Sequence, residues 1–224
     1  MVTDDPGTPG DGNWEINFAF ILERTRSSTS SETPLLDINF GVGDRIQLKY
    51  EVPWLNVYDS AGDSSSAVGN SLVGVKWRFF DAGQDGWQVS TYPQVSFRTS
   101  AHSSDESDLT EVSGAVLLPI EVMRAFALCS VNFDVGRRIA PAGDGGWFAG
   151  VVVGHEIDQH FEWMAEVHGD FSTGLGQSAL QSNLGLRWVV TKGSSVLLSF
   201  GRGFHSEYSP GLNFHGYLGW QVRR

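Results

Sequence analysis

The sequence predicts an all-β fold, a twelve-stranded antiparallel transmembrane β-barrel with short periplasmic turns and long extracellular loops. Three observations carry this. Apolar and polar residues alternate with a period of two along most of the chain, which gives each strand one apolar and one polar face. Many alternating segments run about 10–12 residues, the length a tilted membrane strand needs, against about 5–6 in globular sheets. Short and long connections alternate, which puts all short turns at one end of the barrel and all long loops at the other.

The alternation opens at Trp14. Trp14, Ile16, Phe18, Phe20 and Leu22 share one face against Glu15, Asn17 and Glu23. Leu36, Ile38, Phe40 and Val42 then oppose Asp37 and Asn39, and Ile46, Leu48, Tyr50, Val52 and Trp54 oppose Gln47, Lys49 and Glu51. Val73, Val75, Trp77 and Phe79 oppose Lys76 and Arg78, and Val89, Val95 and Phe97 oppose Ser90, Gln94 and Arg98. Leu118, Ile120 and Val122 flank Glu121, while Val131, Phe133 and Val135 flank Asn132 and Asp134. Further on, Phe161, Trp163, Ala165 and Val167 oppose Glu162, Glu166, His168 and Asp170. Leu184, Leu186, Trp188 and Val190 oppose Asn183 and Arg187, and Leu218, Trp220 and Val222 oppose Gln221 and Arg223. Segments 147–156 and 195–202 are strand-like, with their facing left open. Pro53, Pro93 and Pro119 fall inside these strands and, lacking a ladder donor, predict bulges or kinks. Segments 25–33, 58–70, 99–114, 137–146, 171–179 and 203–212 read as the long loops.

Composition fits the same picture. Hydrophobic residues make up only 41% of the 224, yet the chain holds 8 Trp and 14 Phe, as expected when only every second strand residue must face lipid. The tryptophans fall near strand starts and ends, where an aromatic girdle belongs. No apolar run reaches the roughly 18 residues of a membrane helix. A net charge of −11 excludes a general nucleic-acid binder, and a single cysteine, Cys129, excludes an intrachain disulfide. Residues 1–13 are polar and rich in Pro and Gly, with no signal-peptide pattern; they read as a flexible N-terminal segment ahead of one barrel spanning residues 14–224.

The polar faces carry charges at mid-strand, which in a barrel point into the lumen. Lys49, Lys76, Arg78 and Arg98 would form a basic wall, with Glu121, Asp134, Glu162, Glu166 and His168 on acidic walls beside and opposite it. These nine are the candidate lumen-lining, selectivity-setting residues, acting through a transverse field on a passing solute. Twelve strands about 4.8 Å apart and tilted about 40° give a backbone diameter of roughly 24 Å and a lumen of about 8–10 Å.

Chemistry beyond passage finds little support. His205, Ser206 and Glu207 lie together in an expected loop, without the His-x-Ser-Asn-Gly signature of barrel phospholipases, so no catalytic residues and no enzyme are expected. His168 stands between Glu166 and Asp170, but i and i+2 neighbours on a strand are about 6.5–7 Å apart, too far for tight metal ligation. No metal or other cofactor is expected. The 143–146 stretch lacks the strand-to-helix setting of a phosphate cradle. Asp63, Asp105, Glu106, Asp108 and Glu111 read as solvated loop acids.

The stretches GNWEINFAF, ETPLLDINFGVGDRIQLKYEVPW, GNSLVGVKWRFFD, TYPQVSF, LLPIEV and LGLRWVV, in that order, resemble the outer-membrane transporter family named for the meta-cleavage pathway of phenol degradation. The resemblance implies a bacterial outer-membrane barrel that passes small compounds, aromatic ones included, and it carries no catalytic residues. The expected partners are the lipid bilayer and a small solute. The alternative is a non-conducting structural or adhesive barrel; the sequence leaves the solute and the oligomeric state open.

Overall fold

The computed structural model describes residues 1–83, 86–99, 114–141, 145–172, 177–207 and 211–224. Its strands are β1 (Trp14–Arg24), β2 (Ser28–Val42), β3 (Ile46–Asp59), β4 (Ser64–Val68), β5 (Ser71–Asp81), β6 (Trp87–Thr91) and β7 (Gln94–Phe97), followed by β8 (Val116–Ala125), β9 (Ser130–Ile139), β10 (Gly146–Glu156), β11 (Phe161–Ser172), β12 (Ser178–Thr191), β13 (Ser194–Ser206) and β14 (Phe214–Arg223). Two spans are each split in two. β4 and β5 pair with successive halves of β3, and β6 and β7 both lie between β5 and β8. The fourteen segments therefore make twelve antiparallel spans. β1 pairs with β14 from Glu15–Arg223 to Arg24–Phe214, which closes the sheet into a barrel and leaves it no edge.

The wall is built inside out relative to a soluble domain. All eight tryptophans are exposed on its outer surface, with Phe18, Phe133, Leu184 and Phe200 between them. Most of the buried side chains are polar, among them Asn39, Gln47, Lys76, Glu121, Glu166, His168 and Asn183. Indole N–H groups near the strand ends are satisfied locally, Trp54 by Ser66 Oγ (2.8 Å) and Trp220 by Ser194 Oγ (2.7 Å). An apolar surface studded with Trp at both rims suits hydrocarbon and headgroups. Leu184 lies at the middle of β12 and faces out. Leu184→Arg is expected to cost about 2–4 kcal/mol of folding stability in lipid vesicles, as for other mid-membrane arginines. Urea titration followed by tryptophan fluorescence measures it.

The two strands of open facing are now assigned. In β10, Phe148, Gly150, Val152 and Gly154 face in while Trp147, Val151 and Val153 face out. In β13, Ser195 and Ser199 face in while Val196, Leu198 and Phe200 face out. Two expected long loops are mostly strand: β2 begins at Ser28, and β3 runs on to Asp59 before β4. The Ser/Thr-rich stretch of β2 finds ladder partners on both sides, in β1 and in the outer half of β3, and so continues the sheet to the outer rim. Most of 99–114 lies outside the described residues.

The prolines sit where pairing is interrupted. Pro93 follows Tyr92 in the gap between β6 and β7, and Pro119 of β8 faces that gap, its carbonyl accepting from Thr91 Oγ1 (3.0 Å) and the Tyr92 amide (3.3 Å). Pro53 lies opposite the register shift between Glu32 and Leu35 of β2, which holds Pro34. Each proline lacks the N–H the ladder would use.

Candidate functional site: a polar lumen bridged by the N-terminal segment

Strand parity aims the polar residues inward, but the lumen is not empty. Residues 1–13, expected to be flexible, run inside the barrel from the end that holds both termini. At that mouth Thr8 Oγ1 donates to the Asp44 carbonyl (2.9 Å), Gly43 N–H to Asp11 Oδ1 (2.8 Å) and Gly12 N–H to the Gly41 carbonyl (3.0 Å). Deeper in, the amides of Val2 and Thr3 donate to Glu166 Oε1 (2.9 and 2.6 Å), while Asn183 Nδ2 donates to Glu166 Oε2 (2.6 Å).

On the facing wall Lys76 Nζ lies 3.1 Å from the Asp4 carboxylate and 3.3 Å from that of Glu121, and it also donates to the Asp5 carbonyl. Enclosure works to raise the Asp4 carboxyl, but the Lys76 and Lys49 ammoniums and the hydrogen bonds from Lys76 and the Asp5 amide together outweigh it, so the group stays below its ordinary value. Lys76 is on β5 and Glu166 on β11, five spans apart in a ring of twelve. Residues 2–5 therefore bridge the lumen nearly wall to wall. Two wall glycines leave room for this strap. A Cβ on Gly150 would collide with Thr3 Oγ1, and one on Gly41 would collide with the Gly10 carbonyl.

Eight of the nine candidates selected from sequence lie on inward strand positions, and the structure joins several of them. Lys76 meets Glu121, which also accepts from Ser90 Oγ (2.5 Å). Asp134 and His168 border the Gly150 hollow with Thr3, and His168 Nε2 lies 3.6 Å from Asp170. Glu162 lies 3.8 Å from Arg187, and Lys49 lies 2.7 Å from Glu51 and 3.7 Å from Asp37. Arg78 sits near the mouth, 3.3 Å from Asp81 and donating to the Asp44 carbonyl (2.7 Å). Arg98 follows β7, exposed and off the strand.

The basic residues do not stand alone. Lys49, Lys76 and Arg78 are each matched by carboxylates, because strand neighbours and the strap bring acids to them. Mid-lumen groups are almost inaccessible, with Lys76 only 2% and Glu121 1% exposed.

Several site residues were missed in the sequence. Tyr92, wholly buried, lies under Lys76 (4.5 Å to the ring) and accepts from Gln47 Nε2 (3.0 Å). Its inward parity was legible, as was that of Asn183. Thr3 and Asp4 carry no local signal.

At the opposite rim Ser178 lies between His205 and Glu207. Its Oγ is 3.3 Å from His205 Nε2 and donates to Glu207 (2.9 Å), which also takes the Ser178 amide (2.7 Å). These bonds hold the Glu207 carboxyl below its usual range. The acid here binds the serine, whereas a Ser–His–acid relay needs it on the histidine. Asp105, Glu106, Asp108 and Glu111 lie outside the described residues, as do 143 and 144.

A closed antiparallel barrel of twelve spans, apolar outside and polar inside, defines a membrane-spanning barrel of the outer-membrane type. The solved structures it resembles share that class. Over its whole length, and the whole of the other chain, it is similar to the COG4313 outer membrane channel from Pseudomonas putida F1, with a TM-score of 0.83 at 14% identity. It is also similar to the KdgM porin (TM-score 0.65, 9% identity, 93% of this chain and 98% of that one) and to the NanC porin (0.65, 8%, with the same coverage). At these identities the likeness establishes the fold. Comparisons with known protein families and with curated proteins find no match.

Proposed function

We propose that the chain is a bacterial outer-membrane channel for passive passage of a small polar or aromatic solute. One observation carries the reading: the polar lumen is bridged by a separate strap held by a few polar contacts, so the passage can open without breaking the barrel. Similarity to channel and porin folds supports it, as does the sequence resemblance to the phenol meta-pathway transporter family. Lys49, Lys76, Arg78, Glu121, Asp134, Glu162, Glu166 and His168 line the path on this reading, and Arg98 stands at its outer mouth. Inward carboxylates outnumber inward Lys and Arg along the spans, so conduction is cation-preferring.

The near-complete burial of Lys76 and Glu121 favours a second reading, a non-conducting structural barrel. Planar-bilayer recording of the refolded protein decides between them. The channel reading expects discrete, cation-preferring current steps. Current no greater than leak, from protein shown to be inserted, sinks it.

A further inference from the structure

Charge is divided by face along the spans. Among the described residues, the carboxylates between strand ends point inward, whereas the outward Lys and Arg side chains are all arginines: Arg24, Arg124, Arg137 and Arg202. Arg124 lies 5.2 Å from the Trp87 ring and 5.0 Å from that of Phe126, and Arg137 lies 5.2 Å from the Trp147 ring. Arg24 and Arg202 have no carboxylate within salt-bridge distance among the described residues.

Both sit at the end of the barrel away from the termini. Arg24 closes β1 and pairs with Phe214, the first residue of β14. Gly201 of β13 pairs with His215, so Arg202 falls beside Phe214 on its other flank. The three positions form an outward row across β13, β14 and β1, with the Cα atoms of the two arginines about 10 Å apart, two inter-strand spacings. Phe204, also exposed, adjoins the row.

An outward arginine is costly at mid-membrane and nearly free at headgroup depth. At that depth a guanidinium suits phosphate, which it takes with paired N–H donors. We propose that Arg24, Phe214 and Arg202 form a docking site for the phosphorylated glycolipid of the outer leaflet. The arginines take its phosphate oxygens, and Phe214 and Phe204 lie against its acyl chains. Charge complementarity selects this occupant: in a chain of net charge −11, this outward row offers an anion two cations and, among the described residues, no outward strand carboxylate beside them. The inference rests on the outer-membrane placement and not on conduction.

Native mass spectrometry of the detergent-refolded protein tests it with three probes: bisphosphorylated lipid A, the same lipid A without phosphates, and phosphatidylglycerol. Wild type is expected to retain the bisphosphorylated form about tenfold better than either other probe, the size of one charge-assisted contact. R24Q/R202Q should lose that preference and R124Q, at the opposite end, should keep it. Equal retention of the dephosphorylated form overturns the proposal, as does equal retention of phosphatidylglycerol or a double variant that binds like wild type. Insertion into vesicles is scored in parallel. Failure to insert counts against the placement, whereas insertion without a phosphate preference counts against the lipid site alone.

Discussion

Deleting residues 2–10 is expected to raise single-channel conductance on the order of tenfold, because it turns a bridged lumen into one limited by the wall. None of the twelve spans includes these residues, so the barrel should refold without them. What holds the strap is small in number: two amides on Glu166, the Asp4 carboxylate and Asp5 carbonyl on Lys76, and the contacts at the mouth. The Asp4 contact is present at neutral pH. Since that carboxyl is held below its ordinary value, the contact is lost only as pH falls through the lowered value. A second variant reaches the strap without touching a charge. Gly150→Val puts a side chain where Thr3 Oγ1 lies and should shift conductance in the same direction. If both variants conduct like wild type, the wall's own side chains close the lumen and the strap has no part in it.

The wall was legible in the sequence to a degree the lumen was not. The alternation from Trp14 to Leu22 predicts which face of β1 meets lipid, and the pairing of Phe18 with Trp220 and of Phe20 with Leu218 follows it. Period two fails where both faces are apolar. In β10, Phe148 and Val152 face in beside outward Val151 and Val153, so hydrophobicity cannot assign the face. What turns Phe148 inward is tertiary, a ring lying over Gly136 and stacked 6.3 Å from His168. The inward parity of Lys49 and Lys76 was likewise legible, but their partners were not. Glu51 neutralises Lys49 from two residues away, while Asp4 reaches Lys76 from a segment whose Pro/Gly-rich composition is that of a flexible tail. Its docking depends on Gly41, Lys76, Gly150 and Glu166, spread over more than half of the chain, and no local pattern announces that. The split between β6 and β7 follows a local rule, since Pro93 without its N–H marks a break, and the inward parity of Tyr92 beside it was legible too, but its place under Lys76 was not.

Lys76→Met is expected to cost about 3–5 kcal/mol of stability, the penalty of leaving a buried charge without its partner. The ammonium is 2% exposed and Glu121 1%, and after the substitution Glu121 keeps Ser90 Oγ but loses the one cation within salt-bridge distance among the described residues. Asp4 stands on the same ammonium, so the variant also leaves two carboxylates near one another with nothing between them. The cost therefore lies in the uncompensated acids and not in the lost lysine packing, since methionine nearly preserves the stem. K76M/E121Q/D4N removes all three charges together and should recover most of the loss, because a neutral set has no buried charge to desolvate. Urea unfolding in lipid vesicles, followed by tryptophan fluorescence, reads both variants. The deletion of residues 2–10 separates the wall from the strap. In that background Lys76 retains Glu121, so Lys76→Met should still cost most of its original amount. If the cost vanishes on deletion, the lysine serves the strap alone, and the Lys76–Glu121 pair contributes nothing to the barrel.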